Sequence, residues 1–455
     1  ITEVRYEDIH KYPVADALTA QETALGDSIA VAAEVKFSQP ERYSKIRLPH
    51  IHSWAPVYFN YDNVESISGD DYYKTASLGA TAMFQNLLST GYGMVGYGAH
   101  EDPYKDGDWR HSGHFKYIFT GLWPVIEFSA DFNDRAAMDI QKIQVSKEKM
   151  YRLYNKGTLT DKPYFEGGLK VYIPFNFSSG GINRGLIPQV KYKFTNDRYN
   201  DQILFQHIVK KDGKDVTETY STIGENNISP LQTLDASIRG YVMRQKAPSQ
   251  VFPSLGFGAE LGFHFRPGHM KAYNPTAYLY TYGYLPGFTA RQGLRLTASM
   301  EVWYGPYEEG GIMEGALTAI PRGFVDTNLK SIINSCSESR WRVTADYAIP
   351  FADVDWSFLS PVAYVKNFEL TPFFDWSYQT FSWNHELHYN PGAVMGENLF
   401  SVGADLTVRL GNFFWLPYDT QIGIRYARNF WHYIDRFPIS NLNKDYIGWI
   451  FSISL

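Results

Sequence analysis

The stretch LGFGAELGFHF, residues 255–265, switches between two kinds of side chain at every step. One set of alternate positions is apolar and consists of Leu255, Phe257, Ala259, Leu261, Phe263 and Phe265. The other set consists of Gly256, Gly258, Glu260, Gly262 and His264. A period of two indicates a β-strand, because successive side chains of a strand point to opposite faces. A polar face made of glycine and isolated ionisable groups is typical of a strand with lipid on one side and a wet lumen on the other.

The same alternation recurs along most of the chain, in segments too short to be membrane-spanning helices. The 455 residues contain no apolar run of about 18 residues, which a transmembrane helix requires. Residues 293–303 and 399–409 repeat the pattern, with Gly, Ser, Thr and scattered charges on the polar face. A soluble sandwich would instead place many Lys and Glu residues on its outer face. The pattern therefore favours an all-β chain that crosses a membrane as strands.

Counting these segments predicts a transmembrane antiparallel β-barrel of about 16 strands. The expected strands cover 51–61, 76–87, 91–100, 114–122, 125–134, 164–178, 184–196, 233–246, 254–266, 275–285, 293–304, 340–350, 366–380, 399–411, 418–429 and 446–455. Short turns alternate with long polar loops, among them 135–163, 197–232 and 305–339. Outer-membrane barrels have this asymmetry, with short periplasmic turns and long external loops. An even number of strands then places both termini in the periplasm.

Residues 1–50 lack the alternation and are predicted to form a periplasmic lead-in or plug segment, whereas residues 51–455 form the barrel. The segment carries mixed charge and a weakly helical stretch at 13–35. The chain begins at Ile1 without a signal peptide, so we expect either a mature form or a sequence that lacks its N-terminal part.

Charge, cysteine content and histidine spacing exclude several other classes of protein. The formal net charge of −6 comes without a basic stripe, so we expect no nucleic-acid partner. The single Cys336 excludes a disulfide framework. Pairs such as His111 with His114 and His385 with His388 are more often solvated than metal-binding, so we expect no metal and no other cofactor. No nucleophile–base set stands out, so we expect no catalytic residues and no enzyme.

One long connection, between the eleventh and twelfth predicted strands, contains the triplet Arg322-Gly323-Phe324. The alternation in the next two strands turns Asp346 and Asp375 toward the lumen. A guanidinium can bind both carboxylates in fork geometry, while Gly323 would allow close approach to the wall and Phe324 would add an apolar anchor. We expect a clasp that pins the connection inside the lumen. Removing Arg322 should then cost up to about 3–5 kcal/mol, because two carboxylates would remain uncompensated. The alternative is a solvated loop arginine and two ordinary lumen acids.

A barrel of this size with an Arg-Gly-aromatic triplet in this connection resembles the BamA/TamA superfamily of outer-membrane protein insertases and transporters. The next strand of that superfamily carries an acidic residue, an aromatic residue and a proline, which DYAIP at 346–350 matches with Asp in place of the usual Glu. The following strand carries F-x-D-x-G, which FFDWS at 373–377 matches with Ser in place of Gly. The resemblance covers roughly residues 51–455. It implies a bacterial outer-membrane location, contact with outer-membrane lipid and lipopolysaccharide, and a polypeptide client.

The resemblance also implies that the first and last strands meet at a weak seam, which can pair with an incoming strand. The candidate seam residues are Trp54, Pro56 and Tyr58 in the first strand and Gly448 and Phe451 in the last. Pro56 cannot donate a ladder hydrogen bond, and Gly448 lowers strand propensity. Both residues favour a short or frayed seam.

Two other functions remain open at this stage. Superfamily members carry polypeptide-transport modules on the periplasmic side, whereas only about 50 residues precede this barrel. We therefore expect either a periplasmic module outside this sequence or accessory subunits. The alternatives are a passive pore or receptor, and a surface scaffold whose long loops, including 197–232 and 381–398, hold a partner protein.

Overall fold

The computed structural model divides the chain into two units, Ile1–Arg47 and Leu48–Leu455. The residues that the structure describes are 50–60, 76–105, 107–145, 153–211, 214–223, 228–247, 249–268, 275–303, 320–324, 337–357, 363–381, 395–411, 419–431 and 443–454. The predicted lead-in over 1–50 lies outside these residues, except for His50, and stays a prediction. Within the described part, no helix is long and apolar enough to cross a membrane.

The described residues form 18 strands in a single sheet. Their bounds are β1 His50–Phe59, β2 Ala76–Gln85, β3 Gly91–Glu101, β4 Trp109–Phe119, β5 Val125–Val145, β6 Leu153–Tyr172, β7 Phe175–Asn176, β8 Ile182–Lys211, β9 Lys214–Ile223, β10 Ile228–Arg244, β11 Gly256–Phe265, β12 Thr276–Pro286, β13 Gly293–Trp303, β14 Ser337–Trp356, β15 Tyr364–Phe381, β16 Met395–Gly411, β17 Asp419–Trp431 and β18 Asp445–Ser454.

The strands of the described sheet pair in chain order, as an up-and-down barrel requires. Two of the 18, β7 and β9, pair only with β8, which leaves 16 strands in an antiparallel series from β1 to β18. Each of these 16 corresponds, in order, to one of the predicted segments. The all-β barrel of about 16 strands is therefore confirmed.

Two of the connections predicted as long loops are largely β-structure, so the sequence prediction was wrong there. Strands β5 and β6 stay paired as far as Gln144 and Leu153, well beyond the predicted strand ends. Strand β8 continues to Lys211 and turns back as β9. These extensions have no apolar alternation to reveal them, because a ribbon outside the membrane needs no lipid-facing side. Parallel pairing of β5 with β8 and side-chain bonds such as that of Arg198 to Asp139 hold them in addition to the antiparallel pairing.

Side-chain exposure separates the two faces of the sheet as the alternation predicts. Apolar residues on the outer face are solvent-accessible in the isolated chain, and Trp341 and Phe374 are exposed by 42% and 41%. Acidic residues on the opposite face, at odd spacings from these two, are covered, since Asp346 and Asp375 are 1% and 0% exposed. The exposed apolar face is the lipid-facing surface of a transmembrane barrel, and the covered polar face lines its lumen.

Candidate functional site: an arginine clasp in the lumen

Residues 320–324 are the described part of the connection between β13 and β14, and they lie inside the barrel. Ile320 and Phe324 are buried at the two ends of this short segment. The contacts of its backbone and side chains are made to β14, β15, β16 and β17. A segment in contact with four consecutive strands is a second layer over that part of the lumen wall. It is called the inner segment below.

Arg322 binds Asp375 of β15 through both its side chain and its backbone. Its Nε donates to Asp375 Oδ2 at 2.9 Å, and its Nη2 donates to Oδ1 at 2.6 Å. The Arg322 backbone amide also donates to Oδ2, at 2.8 Å. This two-point fork is specific to a planar guanidinium and fixes both the distance and the orientation of the inner segment.

The same guanidinium reaches the second predicted carboxylate. Arg322 Nη2 lies 2.6 Å from Asp346 Oδ1 on β14. Asp346 also accepts from Arg295 of β13, whose Nε and Nη2 lie 3.1 and 2.9 Å from Oδ2. The structure thus brings together Arg322, Asp346 and Asp375, which sequence reasoning selected as one cluster.

Further charged residues that the sequence reasoning did not assign to the cluster extend it across the lumen wall. Arg342 donates to Asp375 Oδ2 at 3.1 Å. Asp405 of β16 accepts a two-point fork from Arg425 of β17 and lies 3.9 Å from Arg322 Nη1. A register argument could have found two of these pairs, since Arg295 is the cross-strand partner of Asp346 and Asp405 that of Arg425.

The extra arginines correct the expected consequence of removing Arg322. Without it, Asp346 would keep Arg295 and Asp375 would keep Arg342 as counter-charges. The two carboxylates would therefore not be left uncompensated, as the sequence alone suggested. The cost of the loss falls below that of breaking an isolated buried pair.

Phe373 provides an aromatic surface beneath the arginines. The Arg322 guanidinium carbon lies 4.0 Å from the centre of the Phe373 ring, and that of Arg425 lies 5.5 Å from it. Both distances are within the range of cation–π attraction. Phe373 is the first residue of FFDWS, so this motif supplies both the ring and the carboxylate that hold Arg322.

Gly323 lies where no other residue would fit without rearrangement. Its φ of +99° belongs to the left-handed region that favours glycine. A Cβ at this position would lie 2.6 Å from Asn429 Oδ1 and 2.7 Å from Ala427 Cβ on β17. The flanking carbonyls are also bound, since Ser401 donates its hydroxyl to the Arg322 carbonyl and Asn429 Nδ2 donates to the Gly323 carbonyl at 2.9 Å.

Phe324 closes the far end of the inner segment. It is 4% exposed and meets Trp431 of β17 edge to face, with 6.4 Å between ring centres. The triplet thus has three kinds of attachment: an ion-pair fork, a close backbone approach and an aromatic contact. Together these keep the inner segment on the wall formed by β14 to β17.

The predicted seam residues lie on the first and last strands of the series, with different environments. Trp54 is exposed on the outer face, whereas Tyr58 is buried in the lumen. Pro56 lies at a register shift between Ala55 and Val57. In β18, Gly448 is the partner of Arg425 and Phe451 that of Ile422. The structure therefore separates these five residues among three environments: outer face, bulge and lumen.

His114 has two acidic neighbours, which makes it a candidate metal ligand that the sequence expectation did not include. Its Nδ1 lies 2.8 Å from Asp131 Oδ1, and its Nε2 lies 2.9 Å from Ser112 Oγ and 3.4 Å from Asp134 Oδ1. The two carboxylates thus lie against opposite nitrogens of one ring. A metal ion at Nε2 would have Asp134 as a ligand, while Asp131 would only orient the imidazole. Two acidic side chains on opposite sides of the ring fit a hydrogen-bonded histidine better than a metal centre.

A polar cavity of about 870 Å³ occupies the other side of the lumen. Its lining comes from strands between β1 and β12 and includes Lys116, Glu127, Lys170, Lys191 and His264. Lys116 lies 3.3 Å and Lys170 3.7 Å from Glu127, so positive and negative groups alternate. Neither sign of charge dominates the lining. Water and small solutes of either charge fit this composition better than one ion type.

Comparisons with known proteins identify a similar barrel architecture. No family model matches the chain, and no curated protein matches it. CdiB from Escherichia coli is a similar solved structure, with 8% identity and a TM-score of 0.42 over 83% of this chain and 59% of that one. BamA from Haemophilus ducreyi lacking POTRA domains 1-3 has 12% identity and a TM-score of 0.40 over 84% of this chain and 68% of that one.

The chain spans 59% of the CdiB structure, less than two thirds of its length.

Proposed function

We propose that this chain is an outer-membrane barrel of the BamA/TamA superfamily that inserts polypeptides into the outer membrane or moves them across it. The observation that carries the proposal is the clasp: Arg322, on a segment inside the lumen, bound to Asp346 and Asp375 on two adjacent strands. These are the three motif residues of the resemblance. They meet in space although the chain separates them by up to 53 residues.

The clasp supports this role because it stiffens only one part of the wall. The inner segment contacts β14 to β17, which end beside the last strand β18. Strand β1, at the other end of the series, has no such second layer among the described residues. A rigid wall next to a strand edge would present that edge in a fixed geometry to an incoming client strand. Main-chain hydrogen bonds would then bind the client.

Locking the seam tests the proposal. In a Cys336→Ser background, one cysteine is placed in β1 and one in β18, and the two are joined by bifunctional thiol reagents of increasing length. Assembly of an unfolded outer-membrane barrel client is then followed in liposomes that contain the protein. We expect the shortest effective linker to slow assembly at least about tenfold and the reduced protein to regain the rate.

A matched control locks two strands away from the seam. Ala259→Cys and Thr281→Cys replace register partners on β11 and β12, and their cross-link should leave client assembly within about twofold. If the seam lock and this control slow assembly equally, or if neither does, the insertion role is wrong.

A passive pore is the second candidate, and the cavity of about 870 Å³ favours it. The mixed charges of Lys116, Lys170 and Glu127 suit a weakly selective water-filled path. A steady conductance in planar bilayers that a β1–β18 cross-link does not change, together with absent client assembly, would favour this function over insertion.

The remaining parts of the proposal concern location and partners. We place the barrel in the bacterial outer membrane with both termini in the periplasm, in contact with lipid and lipopolysaccharide and aided by a periplasmic module or accessory subunits. Thiol labelling of a cysteine at Ser89, in the short turn between β2 and β3, tests the orientation. If a membrane-impermeant reagent labels this cysteine in intact cells, the turn faces outward and the proposed orientation is reversed. The scaffold alternative depends on loop 381–398, of which residues 382–394 lie outside the described residues.

A further inference from the structure

Strand β1 consists of two parts that are attached to the barrel in different ways. The register with β2 shifts between Ile51 and Ser53 and again between Ala55 and Val57, so neither His52 nor Pro56 has a register partner. Proline lacks the amide that a ladder needs and is accommodated at such bulges. The shift at Pro56 divides the strand into two parts. Residues 50–55 lie toward the end of the barrel with the short turns, and residues 57–59 lie toward the long connection to β2.

The part beyond the bulge is held by a side chain of β2. Thr81 is buried, and its hydroxyl donates to the Val57 carbonyl at 2.9 Å and accepts from the Phe59 amide at 3.1 Å. One side chain therefore bonds two backbone groups of β1 in addition to the strand pairing. Releasing residues 57–59 would break both of these bonds.

Tyr58 adds an attachment that extends three strands into the wall. Its ring is 1% exposed and stacks on His114 of β4, with ring centres 3.8 Å apart and an angle of 13° between ring planes. The ring passes over Gly96 of β3, where a Cβ would lie 2.6 Å from it. His114 is itself held by Ser112 and Asp131. Tyr58 is thus fitted into a site that β3, β4 and β5 build.

The part before the bulge has only short lumen-side residues. Ser53 and Ala55 take the positions that Tyr58 takes in the other part, and Ser53 Oγ hydrogen-bonds to the neighbouring His52 Nδ1 at 3.0 Å. Neither side chain is long enough to reach β3 or β4. Strand pairing with β2 is the main attachment of residues 50–55.

We propose that Tyr58 and Thr81 form a latch that holds residues 57–59 of the first strand against β2 to β4, so that only residues 50–55 can bend away from β2 when a client pairs, with Pro56 as the hinge. This inference deepens the proposed function and rests on it, because it assumes that the first strand offers its edge to a client. It limits the edge offered to a client to about six residues, close to the length of an ordinary strand.

Hydrogen exchange of the whole protein in lipid nanodiscs tests the latch. In the wild type, we expect the amides of Trp54 and Ala55 to exchange at least about tenfold faster than those of Val57 and Phe59. In Tyr58→Ala, the amides beyond the bulge should reach the rates of those before it. Tyr58→Phe keeps the stacked ring and should stay within about twofold of the wild type.

Two further variants keep the test decisive if Tyr58→Ala fails to fold. His114→Ala removes the stacking partner from the opposite side and should also speed exchange of Val57 and Phe59. Trp54→Ala removes a large outer-face side chain of the same strand and should leave their exchange unchanged. Equal protection of both parts in the wild type, or equal effects of Trp54→Ala and Tyr58→Ala, would overturn the latch. The two proposals can fail separately. If hydrogen exchange confirms the latch but the barrel with a cross-linked seam still assembles clients, the latch stands and only the insertion role is refuted.

Discussion

The wall formed by β13 to β17 and the wall formed by β4 to β12 have the same alternating design but different lumen surfaces. On the first wall, Asp346 and Asp375 are almost fully covered and are bound by three arginines. On the second wall, Lys191 stays exposed to a cavity of about 870 Å³. The inner segment makes the difference, because among the described residues it contacts the first wall and not the second. A lumen-facing charge can therefore be a structural ion pair or a pore-lining group, depending on the second layer.

Among variants of the two walls, Asp375→Ala should cause the largest loss of stability. Asp375 is fully buried and accepts from the Arg322 side chain, from the Arg322 backbone amide and from Arg342, so its loss removes a counter-charge from two guanidinium groups, of which Arg322 keeps Asp346. We expect a loss of about 3–5 kcal/mol in the free energy of unfolding. Unfolding is measured on semi-native gels, by following with temperature the loss of the heat-modifiable band shift.

A smaller loss should follow Arg322→Ala, because Arg295 and Arg342 remain beside the two aspartates. Charged hydrogen bonds of this kind are each worth about 1.5–3 kcal/mol, and we expect a loss in that range. Limited proteolysis should cut the 304–336 connection faster in the variant. Arg322→Lys keeps the charge without the fork and should recover only part of the loss. The exposed Arg184→Ala is the matched control, and an equal effect of the two alanine variants would contradict the clasp.

The close approach of Gly323 predicts a further, more local effect. Gly323→Ala places a Cβ 2.6 Å from Asn429 Oδ1 at a φ of +99°, and we expect a loss of about 1–3 kcal/mol. Gly268 has a φ of +83° with no atom within 4 Å of an added Cβ, so Gly268→Ala is subject to the conformational strain alone. Thermal unfolding of both variants should show the larger loss at Gly323. Equal losses would mean that contact with β17 is unimportant.

On the open wall, Lys191→Glu should leave stability within about 0.5 kcal/mol, because its side chain is exposed. Its effect should instead be on ion passage, since it reverses one charge in the cavity lining. We expect the reversal potential under a salt gradient to shift toward cation preference. An unchanged potential would show that ions do not pass this cavity.

Much of the lumen cluster could be predicted from alternation and spacing. The two-residue period placed Asp346 and Asp375 on one face of adjacent strands, and the triplet placed Arg322 in the intervening connection. Two features of the cluster were not predicted. Arg342 shares Asp375 with Arg322, and the ring of Phe373 lies beneath Arg322. The Arg342 contact depends on the register of β14 with β15, and the position of Arg322 over Phe373 depends on the depth to which the inner segment enters the lumen. Spacing along the chain determines neither.

Strand β1 shows more clearly that spacing along the chain does not predict contacts across several strands. The sequence identified Pro56 as a weak point in a ladder, which follows from its missing amide. It could not reveal that Tyr58, two residues later, stacks on His114 three strands away. That contact needs the register of four strands to be known together, with Gly96 leaving room for the Tyr58 ring.

The sequence by itself determined the all-β fold, the 16 strands in series and the face of each side chain within the regularly alternating segments, because strand periodicity is a local property of the backbone. Only the tertiary structure decided which lumen charges are paired, which part of β1 is fastened and which wall stays open. These outcomes depend on a covering segment and on register across many strands. Contacts between residues far apart in the chain set both.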